Sequence, residues 1–195
     1  MSEVELPNLE ELEEIKAKAF TKRIALTTAI FAVLLAITSL GGNNAMKEML
    51  LSQQQASDQW AFYQSKVLRE HLYRTNGQRI EADLFERGTA MKPEAKQKYE
   101  AMLREMRAEE SRYSGEKKKI EEDAKQLEAS RDRSLSKDPY FDYAEVLLQI
   151  SIVMASISIL AASRQIFYFA LVSASLGTIL MLNGFLLVFQ VPFLH

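Results

Sequence analysis

The stretch that decides the fold is IFYFALVSASLGTILMLNGFLLVFQVPFL, residues 166–194. It contains no Asp, Glu, Lys or Arg, and it is longer than the roughly 20 helical residues that cross a bilayer core. Residues 24–46 and 146–163 are also uncharged, and charged residues flank both stretches. Because a charge at mid-membrane costs about 2.5–3.5 kcal/mol, the three stretches predict three membrane spans.

These spans set the predicted domain organisation. We expect an all-α membrane protein with three transmembrane helices and a long antiparallel helical hairpin inserted between the first and second spans. The uncharged run after Arg23 is longer than the apolar core of a signal peptide, which favours an uncleaved anchor. The predicted segments are an N-terminal amphipathic juxtamembrane helix (1–23), a first transmembrane helix (24–44), a soluble helical hairpin (45–137), and second and third transmembrane helices (138–163 and 166–191).

Turn residues indicate where the hairpin reverses. Gly88 to Lys92 followed by Pro93 is typical of one helix ending and another beginning with proline at its first position. A reversal near 88–92 leaves two arms of nearly equal length, as a region between two spans on one membrane face requires. If the reversal centres near Ala90, residues that face each other across the hairpin have numbers that sum to about 180. This places Trp60 by Ile120, Ala56 by Ala124 and Val67 by Tyr113.

Apolar and aromatic residues recur at heptad spacing in both arms, which gives the middle region coiled-coil character. Glu110 and Lys117 interrupt the alternate seam position. This pattern favours a hairpin or small bundle with partly hydrated packing over a long two-stranded coiled coil. The predicted hairpin seam consists of Trp60, Tyr63, Val67, Tyr113, Ile120 and Leu127.

The charge balance excludes some classes of function. Between Lys47 and Glu145 there are nineteen Lys or Arg residues and twenty Asp or Glu residues. Nucleic acid is not expected as a partner, because phosphate binding needs a concentrated positive excess. The chain has no cysteine, so it has no thiol nucleophile, thiolate metal site or disulfide.

Several short sequences resemble one known family. They are GGNNA (41–45), ASDQWAFYQSK (56–66), DPYFD (138–142) and NGF (183–185). Together they resemble DUF4337, a bacterial membrane family known only as a domain of unknown function, and the resemblance covers the chain from about Lys22 onward. It implies three spans with a helical insertion, and it implies no activity, cofactor or catalytic residue.

One face of the first span consists of small or weakly polar residues. Small residues let helices approach closely in lipid, so we interpret this face as a helix-packing surface within the chain or between copies. The alternative is that the face lines a pore, which requires several copies of the chain. The face comprises Ala25, Thr28, Ala29, Ala32, Ala36, Ser39 and Asn43.

Polar residues in the other spans have two interpretations. Gln149 and Asn183 lie at similar depth from the turn at Arg164, so they are predicted to hydrogen-bond across the second and third spans. Asp138, Asp142 and Glu145 could attract a divalent cation. We prefer a capping role for these acids near a helix amino end and predict no metal site.

No catalytic motif is recognisable: there is no phosphate-cradling glycine loop, metalloprotease helix motif or nucleophile elbow. We therefore expect no enzymatic activity, no catalytic residue and no cofactor. The preferred hypothesis is an oligomeric scaffold or accessory interaction protein that acts through its hairpin. Its partners are the lipid bilayer, further copies of the chain and an unidentified protein. The alternative is a small homo-oligomeric ion channel built around the first span.

Basic residues near the spans predict the orientation. Lys16, Lys18, Lys22 and Arg23 share a membrane side with Arg164. By the positive-inside rule the amino end and the Arg164 turn are cytoplasmic and the hairpin is periplasmic, in a multi-pass protein of the bacterial inner membrane.

Overall fold

The computed structural model describes residues 9–189, with side chains from Glu14 onward. Within that range the chain is all-helical and contains no strand, as the sequence predicts. The helices are α1 (Leu9–Arg87), α2 (Pro93–Leu135), α3 (Asp138–Leu160) and α4 (Arg164–Leu186).

Three helical segments within residues 9–189 are long and apolar enough to cross a membrane. The first lies within Glu14–Arg87 of α1. The second lies within Pro93–Leu160, the stretch that contains α2 and α3, and the third is Arg164–Leu186, which is α4. This finding fits a multi-pass membrane protein.

Helix α1 is continuous from Leu9 to Arg87. The predicted juxtamembrane helix, the first span and the first arm of the middle region are therefore parts of one helix. The sequence Asn76-Gly77, which can mark a break, lies inside α1. A single glycine inside a helix costs only about 1 kcal/mol relative to alanine, and packing can offset that cost. Indeed Gly77 is buried, and a Cβ at this position would lie 3.6 Å from Met106 Cβ.

The two C-terminal helices end earlier than the predicted spans. Helix α3 ends at Leu160 rather than at residue 163, because Ala162 adopts a left-handed conformation with φ of 47°. The Ser163 N–H donates to the Ser158 carbonyl at 3.1 Å and closes the turn. Helix α4 ends at Leu186 rather than at residue 191, and Leu187 is left-handed with φ of 50°. The predicted residues 190–191 lie outside the described part of the chain.

The described part of the chain divides into two compact units, residues 9–48 with 133–189 and residues 49–132. We call the first the membrane unit and the second the middle unit. In the membrane unit α3 and α4 pack through small side chains, and the Ser173 hydroxyl donates to the Leu147 carbonyl at 2.9 Å. Small residues allow close helix approach where the hydrophobic effect does not drive association. The buried small residues are Ala144, Ser151, Ala155 and Ser158 on α3, and Ala170, Ser173, Ala174 and Gly177 on α4.

Helix α1 contributes a narrow buried line to the membrane unit. Its members, Ile24, Phe31, Thr38 and Ala45, recur every seven residues and are at most 5% exposed. Ile24 and Phe31 belong to the hydrophobic core together with residues from α3 and α4. These other members are Leu148, Ala155, Ala170 and Ala174.

A glycine–aromatic cluster forms a second contact within this unit. Phe141 and Phe185 meet edge to face with ring centroids 4.9 Å apart. A Cβ at Gly41 would lie 2.6 Å from Phe141 Cε1 and 2.8 Å from Phe185 Cζ. Only glycine lets the α1 backbone approach the two rings this closely.

Candidate functional site

The middle unit is held together by charged and polar side chains that link its parts of α1 and α2. Over the length of the unit, the linked pairs move to higher residue numbers on α1 and to lower residue numbers on α2. They include Ser52–Ser130 (3.4 Å), Trp60–Glu128 (2.9 Å), Lys66–Glu116 (2.6 Å), Arg74–Glu110 (2.7 Å) and Glu81–Arg107 (2.8 Å).

Glu70 is the most buried acid in this set, with 3% of its surface exposed. One carboxylate oxygen lies 2.5 Å from Lys117 Nζ, and the other accepts a hydrogen bond from Arg74 Nη2 at 2.8 Å. The hydrogen bond from Lys117 lowers the pKa of Glu70, and this effect outweighs the opposing effect of burial. A carboxylate that is paired in this way stays charged at neutral pH. Glu110 and Lys117 are the charged residues that interrupt the predicted seam. In the structure Glu110 forms an ion pair with Arg74, and Lys117 forms an ion pair with Glu70.

Tyr113 is a second centre of contacts. Its hydroxyl accepts hydrogen bonds from Arg69 at 3.5 Å and from Arg112 at 2.9 Å, and these donors lower its pKa. Its ring stacks on Tyr73 with centroids 5.5 Å apart. Lys66 Nζ lies 5.2 Å from the ring centroid, within the range of a cation–π contact. The same ammonium group lowers the pKa of Glu116 by hydrogen bonding.

The predicted seam residues lie in or beside this interface. Tyr113 and Ile120 are buried, at 5% and 7% exposure. Trp60, Tyr63, Val67 and Leu127 are half-buried. Sequence reasoning missed the buried Glu70, because an acid among charged neighbours normally reads as a surface residue.

The side-chain hydrogen bonds between α1 and α2 join residues whose numbers sum to slightly more than the predicted value of about 180. The sums are 182 for Ser52–Ser130, Lys66–Glu116 and Arg69–Tyr113, 184 for Arg74–Glu110, and 188 for Trp60–Glu128 and Glu81–Arg107. The pairing of Trp60 with Ile120, Ala56 with Ala124 and Val67 with Tyr113 stays a prediction.

The small-residue face of the first span does not coincide with the buried line of α1. Ala25, Ala29, Ala32, Ala36 and Asn43 are exposed in the single chain. Thr28 and Ser39 are half-buried, and the Thr28 hydroxyl donates to the Ile24 carbonyl at 2.9 Å. Packing within the chain therefore does not account for this face.

The middle unit also has an uncovered apolar face on α1. Leu50, Ala61, Leu68 and Leu72 are separated by 11, 7 and 4 residues, spacings that return to one side of a helix with 3.6 residues per turn. All four are exposed, Leu68 at 71%. This face was not predicted from the sequence. Its signal was present as a second apolar periodicity opposite the seam, but the polar residues between its members weakened it.

The predicted hydrogen bond between Gln149 and Asn183 is wrong. Asn183 bonds both ways to the backbone of Phe189: its Nδ2 donates to the carbonyl at 2.8 Å and its Oδ1 accepts from the N–H at 2.9 Å. Gln149 donates instead to Glu145 on its own helix at 3.2 Å. The prediction rested only on the similar depth of the two residues from the turn at Arg164. Depth does not determine the direction in which each side chain points. The side-chain hydrogen bond that does join α3 and α4 comes from Ser173.

The acids at the start of α3 do not gather into a metal-binding group. Among the described residues, no three His, Cys, Asp or Glu side chains lie close enough together to hold a metal ion. Asp138 stands in the first turn of α3, with Pro139 following it. The predicted capping role is wrong, because the residue at the cap position of α3 is Lys137 and no side chain forms a capping hydrogen bond there. An acid in the first turn still interacts favourably with the positive end of the helix dipole.

The family resemblance is confirmed by comparison with known families. The model of the family described as "Domain of unknown function (DUF4337)" matches residues 20–187. The chain therefore belongs to this family. No curated protein and no solved structure matches it.

Proposed function

Taking this chain as a DUF4337 member, we propose that it is a three-span membrane protein that self-associates through α1 and acts as a homo-oligomeric scaffold. Its middle unit is an antiparallel helical hairpin between the first and second spans. The proposal also includes the predicted location in a bacterial inner membrane, with the amino end cytoplasmic and the hairpin periplasmic. No enzymatic activity is part of it.

The opposed pairing in the middle unit supports the hairpin. Contacts such as Ser52–Ser130 and Arg74–Glu110 need α1 and α2 to run in opposite directions. Sums slightly above 180 also fit this arrangement. Side chains on a helix lean about one position toward its amino end, so in an antiparallel pair the residues that meet have numbers whose sum is about two higher than that of residues at the same height.

The single observation that carries self-association is that α1 keeps apolar and small faces uncovered in both units. In the membrane unit this face includes Ala25, Ala29, Ala32 and Ala36 at alternating steps of four and three. In the middle unit it is the face of Leu50, Ala61, Leu68 and Leu72. The same face of a second copy can cover each of them, because copies inserted in one membrane share an orientation and place their α1 helices parallel.

The test is the mass of the full-length protein in lipid nanodiscs, measured for matched variants. Ala36→Leu and Leu68→Gln should each shift the protein toward monomer: overpacking at a close contact costs about 1–3 kcal/mol, and Leu68→Gln removes apolar contact area. Ser156→Leu and Phe85→Gln are the controls, since Ser156 is an exposed small residue on α3 and Phe85 is 92% exposed. A monomeric wild-type protein, or equal shifts in variants and controls, contradicts the proposal.

The channel is the second candidate, because the small-residue face of the first span also carries the half-buried Ser39 and the exposed Asn43. If several copies surround a path, these groups would face it. The composition of the face argues for packing, since alanine does not hydrate an ion and the Thr28 hydroxyl is already bonded to the Ile24 carbonyl. Measurement of ion flux through the reconstituted protein distinguishes the two candidates.

A further inference from the structure

A cavity of about 300 Å³ opens in the membrane unit between the first turns of α4 and the early part of α1. It lies where the apolar run of α4 begins, next to Arg164, so it is at an end of a predicted span. Its principal lining residues are Lys16, Phe20, Arg23, Arg164, Phe167 and Tyr168.

The cavity concentrates positive charge without a carboxylate in its lining. Among the described side chains, no acid forms an ion pair with Lys16, Arg23 or Arg164. By contrast, the nearby Lys18 is paired with Glu14 at 2.6 Å. Three cations from two helices therefore face one cavity, and an anion is the ligand that such an arrangement favours.

Two further features suit a phosphate group. Helix α4 begins at Arg164, and the preceding Ser163 makes no side-chain hydrogen bond that caps the helix. Backbone N–H groups at an uncapped helix start bind anions, and guanidinium groups bind phosphate through paired hydrogen bonds. The Arg164 guanidinium is also held near the Phe20 ring, with its Cζ 5.9 Å from the ring centroid.

The rest of the cavity is aromatic, which points to an amphiphile rather than a bare ion. Phe20 and Phe167 meet edge to face at 6.0 Å. Tyr168 is 62% exposed in the single chain, and tyrosine is typical of the membrane–water interface. Basic pockets between membrane helices bind anionic headgroups.

We propose that this cavity binds the phosphate group of an anionic membrane lipid, with Arg23, Arg164 and Lys16 as the recognising cations. The acyl chains lie along the apolar surface of α4. The inference rests on membrane insertion, which is part of the proposed function, and it is independent of self-association.

Native mass spectrometry of the full-length protein in detergent tests the site. Phosphatidylglycerol and the zwitterionic phosphatidylcholine are added at equal concentration, and lipid adducts are counted. We expect phosphatidylglycerol to be retained in preference to phosphatidylcholine. Arg164→Gln and Arg23→Gln should each weaken its retention about fivefold, the effect of one basic residue beside an anionic headgroup.

Lys18→Gln is the matched control, because it removes the same charge from the same part of α1 outside the cavity lining. It should leave retention unchanged. Equal retention of the two lipids, or an equal loss in Lys18→Gln, would show only general electrostatic attraction and would overturn the site. Thermal melting without lipid identifies a variant that fails to fold. If either Arg164→Gln or Arg23→Gln fails to fold, phosphatidylglycerol retention by the other variant decides the test.

A soluble competitor separates the two sources of phosphate. Glycerol 3-phosphate carries the same phosphate ester without acyl chains. The lipid assignment predicts that it displaces phosphatidylglycerol only weakly, even in large excess. Displacement at concentrations comparable with that of the lipid would assign the cavity to a soluble phosphate ester and overturn the proposal.

Discussion

Gly41 is the residue whose replacement should most directly disturb the membrane unit. In Gly41→Ala the new methyl group would lie within 3 Å of both Phe141 and Phe185, so the rings or the helix must shift. We expect a loss of about 1–3 kcal/mol, typical of overpacking. The measurement is thermal melting of the full-length protein in detergent.

Gly115→Ala is the control for Gly41→Ala. Gly115 lies inside α2, and a Cβ there would meet nothing within 4 Å. Alanine at such a position stabilises a helix by about 0.5–1 kcal/mol. Equal melting temperatures for wild type and Gly41→Ala would show that the close approach at Phe141 is not important for stability.

Glu70 and Glu116 make the stability of the middle unit depend on pH. Hydrogen bonds from Lys117 and Lys66 hold the two pKa values below the ordinary value of 4.5. The unfolded chain therefore takes up protons at higher pH than the folded chain, so the stabilisation is complete above pH 4.5 and is lost as pH falls through the folded pKa values.

Replacing Glu70 should remove part of that dependence. Glu70→Gln leaves Lys117 without its buried partner, and we expect a loss of about 1–3 kcal/mol at neutral pH. Urea unfolding followed by circular dichroism at pH 7 and pH 3.5 measures it, and the variant should lose less stability than wild type on acidification. The control is Glu121→Gln, since its pair with Lys125 is more exposed. Identical pH profiles for wild type and Glu70→Gln would refute this role.

Single residues were the level at which sequence reasoning failed most. The burial of Glu70 depends on Lys117, which lies 47 positions away in the sequence, and no local pattern reveals such a partner. Asn183 was correctly noticed as an unusual polar residue in a span. Its bonds go to Phe189, because a left-handed residue at Leu187 turns the chain back toward it.

Helices and their ends were more predictable. The predicted reversal near 88–92 falls between the end of α1 at Arg87 and the start of α2 at Pro93, since proline and glycine act through local backbone geometry. The continuity of α1 past Asn76-Gly77 was not predictable from that dipeptide, because packing near Met106 decides whether the glycine is tolerated.

Pairing between α1 and α2 gives a prediction at the scale of the elements. The chain has no cysteine, so crosslinks between introduced pairs of cysteines are measured without background from native thiols. Ser52→Cys with Ser130→Cys should form a disulfide on mild oxidation, because the two hydroxyl oxygens are 3.4 Å apart and a disulfide needs Cα atoms within about 7 Å. Gel mobility with and without reductant measures it.

The matched pair for this experiment is Ser57→Cys with Ser130→Cys. Ser57 is exposed and lies five residues beyond Ser52, on another side of α1. It should not crosslink within the chain. Efficient crosslinking of Ser57 and no crosslinking of Ser52 would contradict the antiparallel register.

At the scale of the whole molecule, composition predicted the class and left the function open. Three apolar helices can be predicted from the sequence, because crossing a bilayer requires an uncharged stretch of about 20 residues. Which exposed face meets another copy is not readable from one sequence, since lipid and protein contacts both favour apolar residues. The buried line of Ile24, Phe31, Thr38 and Ala45 emerged only with the structure.

Ion flux separates the scaffold from the channel. We expect no flux from wild-type protein in liposomes loaded with a potassium-sensitive dye, because the exposed face of the first span is mostly alanine. Asn43→Asp should add none, although a ring of aspartates would favour cations if a path existed. Wild-type flux that changes in Asn43→Asp would replace the scaffold by the channel.

Single-cysteine crosslinking in native membranes tests self-association through α1 most directly. In a parallel pair of identical helices, equivalent interface residues face each other. The account predicts covalent dimers from Ala36→Cys and Ala61→Cys. We expect none from Ile30→Cys or Glu122→Cys, which place the thiol at exposed positions away from the proposed interface. The contradictory result is that Ala36→Cys and Ala61→Cys stay monomeric, or that all four variants crosslink equally.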